Sequence, residues 1–277
     1  MRTLFLVTVD CDLRADDPRA RADGLRAVLA TLGEEGLAGR VTWFLNENDF
    51  RFTQHHEDFL AEAAGRGDTI GIHDHFEPFT AHAGEIPVGY ESRSVLAYCR
   101  AARDRVAGWL EREGYPAQVR AHRNGYLAQA VEIYEALAAL GYTVLSDIWP
   151  RHRSGDRSGA WLDNSEIPVG IGPYRHDAHN FTEYTSTTGR FLQAPIAAMF
   201  LGTFRYELLD RWLEASEQQE ADPAVFTWCL HPYEVLNEAR DAVSPGLVEV
   251  LRDHLRHIRA DYDLEFAGLT QLEEVVG

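Results

Sequence analysis

The apolar positions of the chain follow two rhythms that take turns along its length. Segments 4–10, 40–45, 69–73, 119–123, 143–147 and 226–231 are short, apolar and rich in β-branched or aromatic residues, the pattern of buried strands. Segments 191–197 and 265–269 carry the same pattern more weakly. Between them, 19–32, 57–64, 92–113, 128–140, 204–216 and 245–259 repeat their apolar residues at helical spacing. Val95, Cys99, Ala102, Val106 and Trp109, for instance, form one stripe along the third helix. Asp17-Pro18 reads as a helix start and Gly141-Tyr142 as a helix stop. Alternating strands and helices predict an α/β fold with a mainly parallel sheet or barrel. With no internal repeat or linker, residues 1–277 read as one domain, interrupted by a loop insertion at about 151–186 that is rich in Gly, Pro, Arg, His and Asp.

Polar residues punctuate the ends of these strands. The first ends in Asp10-Cys11-Asp12, the third in His73-Asp74-His75, the fourth in Arg123-Asn124-Gly125. The fifth ends in Asp147-Ile148-Trp149 and a late one in His231-Pro232. Barrel enzymes draw their catalytic groups from the C-terminal ends of several strands. Strand side chains alternate faces, so Asp10 and Asp12 share one face, as do His73 and His75, with Ile70 and Ile72 opposite. Apposed carboxylates favour a bound cation or a shared proton, and a cation held by Asp12, His73 and His75 keeps coordination positions open.

The formal net charge of -18 argues against nucleic acid or an anionic membrane as the partner. All 26 basic side chains are arginine, which excludes Schiff-base and phosphate-loop lysine chemistry. The three cysteines, Cys11, Cys99 and Cys229, are too widely spaced for a disulfide framework or a thiolate zinc site. Reduced thiols, the absence of a stretch of about 20 apolar residues, and a first apolar run too short for a signal peptide together predict a soluble, cytoplasmic protein with no membrane span.

Taken in order, these motifs resemble the polysaccharide deacetylase family, the NodB-homology domain of carbohydrate esterase family 4. Five motifs between Asp10 and His231 carry the resemblance over about four-fifths of the chain. It implies a distorted (β/α) barrel and a metal-dependent deacetylase acting on an N-acylated sugar or sugar conjugate. It further implies Asp10 as base and Asp12 as metal ligand with His73. Arg123 is expected to orient Asp10, His231 to act as acid, Asp147 to hold the His231 imidazole, and Trp149 to meet substrate. One divalent ion, with zinc expected, is the cofactor. The family places its second histidine four residues after the first, where this chain has Glu77; His75 is the preferred third ligand, because Pro78 disfavours helical geometry at Glu77. Deformylation, or hydrolysis of another non-peptide C–N amide bond, fits the same residues. Two further readings are a non-haem iron redox enzyme, whose site also uses two histidines and a carboxylate, and a degenerate carbohydrate-binding protein.

Overall fold

The computed structural model describes residues 2–13, 17–76, 92–153 and 163–276. Glu77 and part of the expected 151–186 insertion lie outside them. The strands are β1 (Thr3–Asp10), β2 (Val41–Leu45), β3 (Thr69–Asp74), β4 (Ala121–Asn124), β5 (Val144–Leu145), β6 (Tyr174–His176), β7 (Phe191–Gln193), β8 (Ile196–Met199), β9 (Ala224–Leu230) and β10 (Glu265–Phe266). The helices are α1 (Pro18–Glu34), α2 (Glu47–Phe50), α3 (Phe52–His55), α4 (Glu57–Gly65), α5 (Ser92–Arg112), α6 (Val131–Leu140), α7 (Tyr206–Gln218), α8 (Pro245–Asp261) and α9 (Gln271–Val276).

One sheet holds all ten strands, in the order β6-β7-β5-β4-β3-β2-β1-β9-β8, with β10 beside the start of β1. Every pairing is parallel except that of β6 with β7. The expected strand 191–197 is in fact two strands. Pro195 has no N–H to give a ladder, so the segment breaks there; β7 pairs with β5 while β8 pairs with β9. Only Ala194 and Pro195 separate β7 and β8, yet these strands lie near opposite ends of the sheet. The sheet is therefore strongly curled, a mostly parallel half-barrel of the distorted (β/α) barrel type.

Period-two alternation decides what faces the inside. Leu4 and Leu6 of β1 join Phe44, Ala121, Val144, Leu192, Val225 and Leu272 in an apolar plug. The intervening Phe5, Val7 and Val9 face outward into the larger core under the helices. Farther along the inner face of β1 the residues turn polar, at Thr8 and Asp10, and both remain buried. Apolar plug below and polar groups above is the sequence order of β1 itself.

The helix signals are realised locally. Asp17 caps α1, its side chain accepting from the Arg19 N–H at 2.9 Å, with Pro18 in the first turn. Gly141 ends α6 at φ 84°, and the Tyr142 N–H returns to the Leu137 carbonyl at 3.1 Å. No helix among the described residues is long and apolar enough to cross a membrane.

Candidate metal centre

Asp12, His73 and His75 bring one ligand atom each within 4.8 Å of one another. His75 Nε2 lies 3.2 Å from Asp12 Oδ1 and 3.1 Å from His73 Nε2, and His73 Nε2 lies 3.8 Å from Asp12 Oδ1. The tautomer of His73 is fixed from behind. Its Nδ1 faces the carbonyl oxygen of Arg123 at 3.0 Å, so Nδ1 carries the proton and Nε2 offers a lone pair inward. Asn46, the next inward position after Thr42 and Phe44, donates to Asp12 Oδ1 at 2.8 Å. Burial pushes the Asp12 carboxyl up, but hydrogen bonding from His75 and the nearby imidazoles hold it below the usual carboxylate range. Two imidazoles and an ionised carboxylate are a donor set that suits zinc and its divalent neighbours.

His75 lies against Gly125. A Cβ on Gly125 would stand 2.6 Å from His75 Cγ and Cδ2, so only glycine lets the ring sit there. The next residue, Tyr126, takes a left-handed φ of 50°, is 55% exposed, and sets its ring 5.0 Å from that of His75. Leu127, Trp149, Ile196, Met199 and Cys229 form an apolar cluster nearby. Trp149 is half-buried in that cluster and stacks on His152 with ring centroids 4.2 Å apart.

Asp10 is next to the candidate metal ligands and is paired with Arg123. Arg123 is fully buried and spends its guanidinium on inward groups: Asp10 Oδ1 at 2.7 Å, Thr8 Oγ1 at 2.9 Å, Ser146 Oγ at 2.8 Å, and Cys229 Sγ at 3.0 Å. The guanidinium also packs over the Phe44 ring, 4.5 Å from its centroid. Burial pushes the Asp10 carboxyl up, but Arg123, His73 and His231 outweigh it, and its pKa falls below the ordinary value. The other oxygen, Oδ2, accepts from the Cys229 thiol at 3.2 Å and lies 3.9 Å from both His73 Nε2 and His231 Nε2.

The expected pairing of Asp147 with His231 is not what the structure holds. The inward residues of this strand end are Val144 and Ser146, so Asp147 points the other way, toward α6. There Asp147 Oδ2 accepts from Asn124 Nδ2 at 2.6 Å and from the Tyr134 hydroxyl at 3.3 Å. Burial raises its pKa to about 7 despite those donors. The His231 imidazole instead bonds Glu234, with Nδ1 2.7 Å from Oε1.

Among the described residues two other groups place ligand atoms within 4.8 Å: Asp10 with Cys229 and His231, and Asp74 with Cys99 and His122. In the first, Asp10 is already neutralised by Arg123, which repels a cation. The second is fully buried on the outer face of the sheet, where His122 Nε2 and Asp74 Oδ2 bond at 3.1 Å.

Asn46, Cys229 and Glu234 were not anticipated from the motifs. Period two extended past β2 reaches Asn46 and, counted back from His231, reaches Cys229. Glu234 needs the turn geometry of the His231-Pro232 corner.

Neither a family model nor a curated protein matches the chain by sequence. Solved structures do resemble it. A protein assigned as a polysaccharide deacetylase from Mycobacterium smegmatis superposes with a TM-score of 0.60 at 17% identity, over 99% of this chain and 90% of that one. A 4-alpha-glucanotransferase from Thermococcus litoralis gives 0.58 at 13% identity, with 99% of this chain spanning 40% of the enzyme. A protein assigned as a polysaccharide deacetylase involved in O-antigen biosynthesis, from Bordetella bronchiseptica, gives 0.46 at 17% identity over 91% of this chain and 90% of that one. The likeness is one of fold, and the chain carries the Asp-x-Asp and His-x-His motifs on that fold.

Proposed function

We propose that the chain is a metal-dependent hydrolase that removes an N-acyl group, acetyl in the simplest case, from a sugar or sugar conjugate. The observation that carries this reading is the position of Asp10. One of its oxygens is held by Arg123, and the other stands 3.9 Å from His73 Nε2 and 3.9 Å from His231 Nε2. An ionised base thus lies between the candidate metal ligands and a third imidazole.

Asp12, His73 and His75 would hold one divalent ion, zinc being expected, which when bound supplies polarisation of the acyl carbonyl and lowers the pKa of a water. Asp10 is kept ionised and aimed by Arg123, and accepts the proton of the attacking water through Oδ2. His231, on the other side of that oxygen, acts as the imidazolium: it gives its Nε2 proton to the departing amine nitrogen and is left as the Nδ1–H tautomer. The burial of Asp10, Asp12, His73 and His231 limits bulk water at the reacting centre. The exposed Tyr126 ring beside His75, with the apolar cluster around Trp149, offers flat apolar faces of the kind a pyranose ring packs on.

The fold shared with a protein assigned as a polysaccharide deacetylase supports a sugar substrate. Three buried cysteines, none in a disulfide, accord with a cytoplasmic location. The same three ligands suit iron, but a redox enzyme leaves the Asp10–Arg123 and His231–Glu234 pairs without a task.

The test is acetate release from a panel of N-acetyl sugars and nucleotide sugars, with and without a chelator. The proposal expects release that the chelator abolishes and added zinc restores. Formate release from N-formyl sugars instead would move the reading to a deformylase. Sugar binding with no release of either acid would move it to a degenerate carbohydrate-binding protein.

A further inference from the structure

Backbone and side-chain contacts converge at the His231 corner. Pro232–Val235 is a 3-10 turn with His231 as its N-cap and Pro232 in its first position. Glu234 is the third residue of the turn, the position from which a side chain reaches back toward the N-cap residue, here His231. Glu234 Oε1 faces His231 Nδ1 at 2.7 Å, and the two side chains are 9% and 7% exposed. The second oxygen, Oε2, accepts from the Leu201 N–H.

The Leu201 N–H is delivered by a backbone that an L-residue rarely adopts. Phe200 has φ 67° and ψ 142°, while its own N–H is pinned to the Cys229 carbonyl at 2.9 Å. The Phe200 ring stacks on the imidazole of His231, centroids 5.1 Å apart at 18°, and Tyr233 lies against the same imidazole at 4.9 Å. Strain at one residue is thus maintained where it aims a hydrogen-bond donor and a ring at the His231–Glu234 pair.

We propose that Glu234 is the positioning residue for the acid His231, in the place where the sequence motif pointed to Asp147, and that Phe200 locks the pair. As an acceptor of the Nδ1 proton, Glu234 fixes the ring tautomer and leaves Nε2 directed at Asp10 Oδ2. This rests on the hydrolase reading for its purpose, but the pairing itself is testable without activity.

Glu234→Gln is the sharp perturbation. Each carboxylate oxygen meets one N–H donor, and an amide has only one oxygen. If the amide oxygen stays on Leu201, its NH2 faces His231 Nδ1 and pushes the proton to Nε2. The measurement is the 15N spectrum of histidine-labelled protein, with His231 identified by the signal missing in His231→Asn. Neutral His231 should be the Nδ1–H tautomer in the wild type, and mixed or reversed in Glu234→Gln. Alongside, kcat on the best N-acetyl sugar of the panel should fall at least tenfold while KM stays within about threefold. A tautomer unchanged in Glu234→Gln, or one that follows Asp147→Asn instead, overturns the proposal. If the tautomer shifts as stated but the wild type hydrolyses no sugar in the panel, the pairing stands and the hydrolase reading fails.

Discussion

Gly125→Ala should weaken metal binding, because the atoms nearest its added methyl all belong to His75. The new Cβ would stand 2.6 Å from His75 Cγ and Cδ2 and 2.9 Å from His75 Cα. Ordinary carbon contacts are about 3.5–4.0 Å, so the ring and its backbone must withdraw by roughly 1 Å. Metal–ligand distances tolerate only about 0.2 Å. A displaced His75 therefore leaves the ion with Asp12 and His73 alone. Disturbing the support of a ligand costs about 10–100-fold in metal affinity, and loss of the ligand belongs at or beyond the upper end. That is about 1.4–2.8 kcal/mol at 1.4 kcal/mol per tenfold. Overpacking should also destabilise the metal-free fold by about 1–3 kcal/mol. The assay is a zinc titration of metal-free protein against a chromophoric chelator, with urea denaturation in parallel to show that the variant is folded. Zinc affinity within twofold of wild type in a folded Gly125→Ala would refute the placement of His75 as a ligand. Glu77→Gln, run beside it, decides between the two candidates: it should bind zinc as the wild type does.

Asp10→Asn should retain metal and the Arg123 contact while losing about 10²–10⁴-fold in kcat, read from acetate release at saturating metal. Arg123→Met removes the partner of a buried ionised Asp10 and should cost about 3–5 kcal/mol in urea denaturation, with inactivity following from misplacement of the base. Asp147 makes stability depend on pH with a defined sign. Its pKa is raised from 3.8 to about 7, so between those values the folded state holds a proton that the unfolded state has released. Stability should therefore fall as pH rises from about 4 to about 7 and level off above, by roughly 4 kcal/mol for a shift of about three units. Asp147→Asn should flatten that slope in denaturation curves taken from pH 4.5 to 8.5; an unchanged slope would assign it to another group.

The fold was legible because the alternation of strand and helix patterns is a long-range signal that tertiary contacts did not override. The inner stripe of β1, from Leu4 and Leu6 to Thr8 and Asp10, could be read by period two alone. The same rule sets His75 on the face of His73, and applied to Val144 and Ser146 it turns Asp147 away from the cavity. Motif order, which alone suggests His231 as the partner of Asp147, carries no information about which face a strand-end side chain takes. The split of segment 191–197 was signalled by Pro195, but which strand each half pairs with is decided by curling of the whole sheet. Glu234 depended on a 3-10 turn and on Leu201, 33 residues away along the chain, and no local pattern reports such a meeting.

The claim on which all of this depends is that one divalent ion sits among Asp12, His73 and His75. It is tested most directly by anomalous diffraction at the zinc edge from crystals of the zinc-loaded protein. The account predicts one strong peak at about 2.0–2.2 Å from Asp12 Oδ1, His73 Nε2 and His75 Nε2, with Asp10 outside the coordination sphere. A peak lodged instead between Asp74, Cys99 and His122, or none at the barrel mouth, would contradict it.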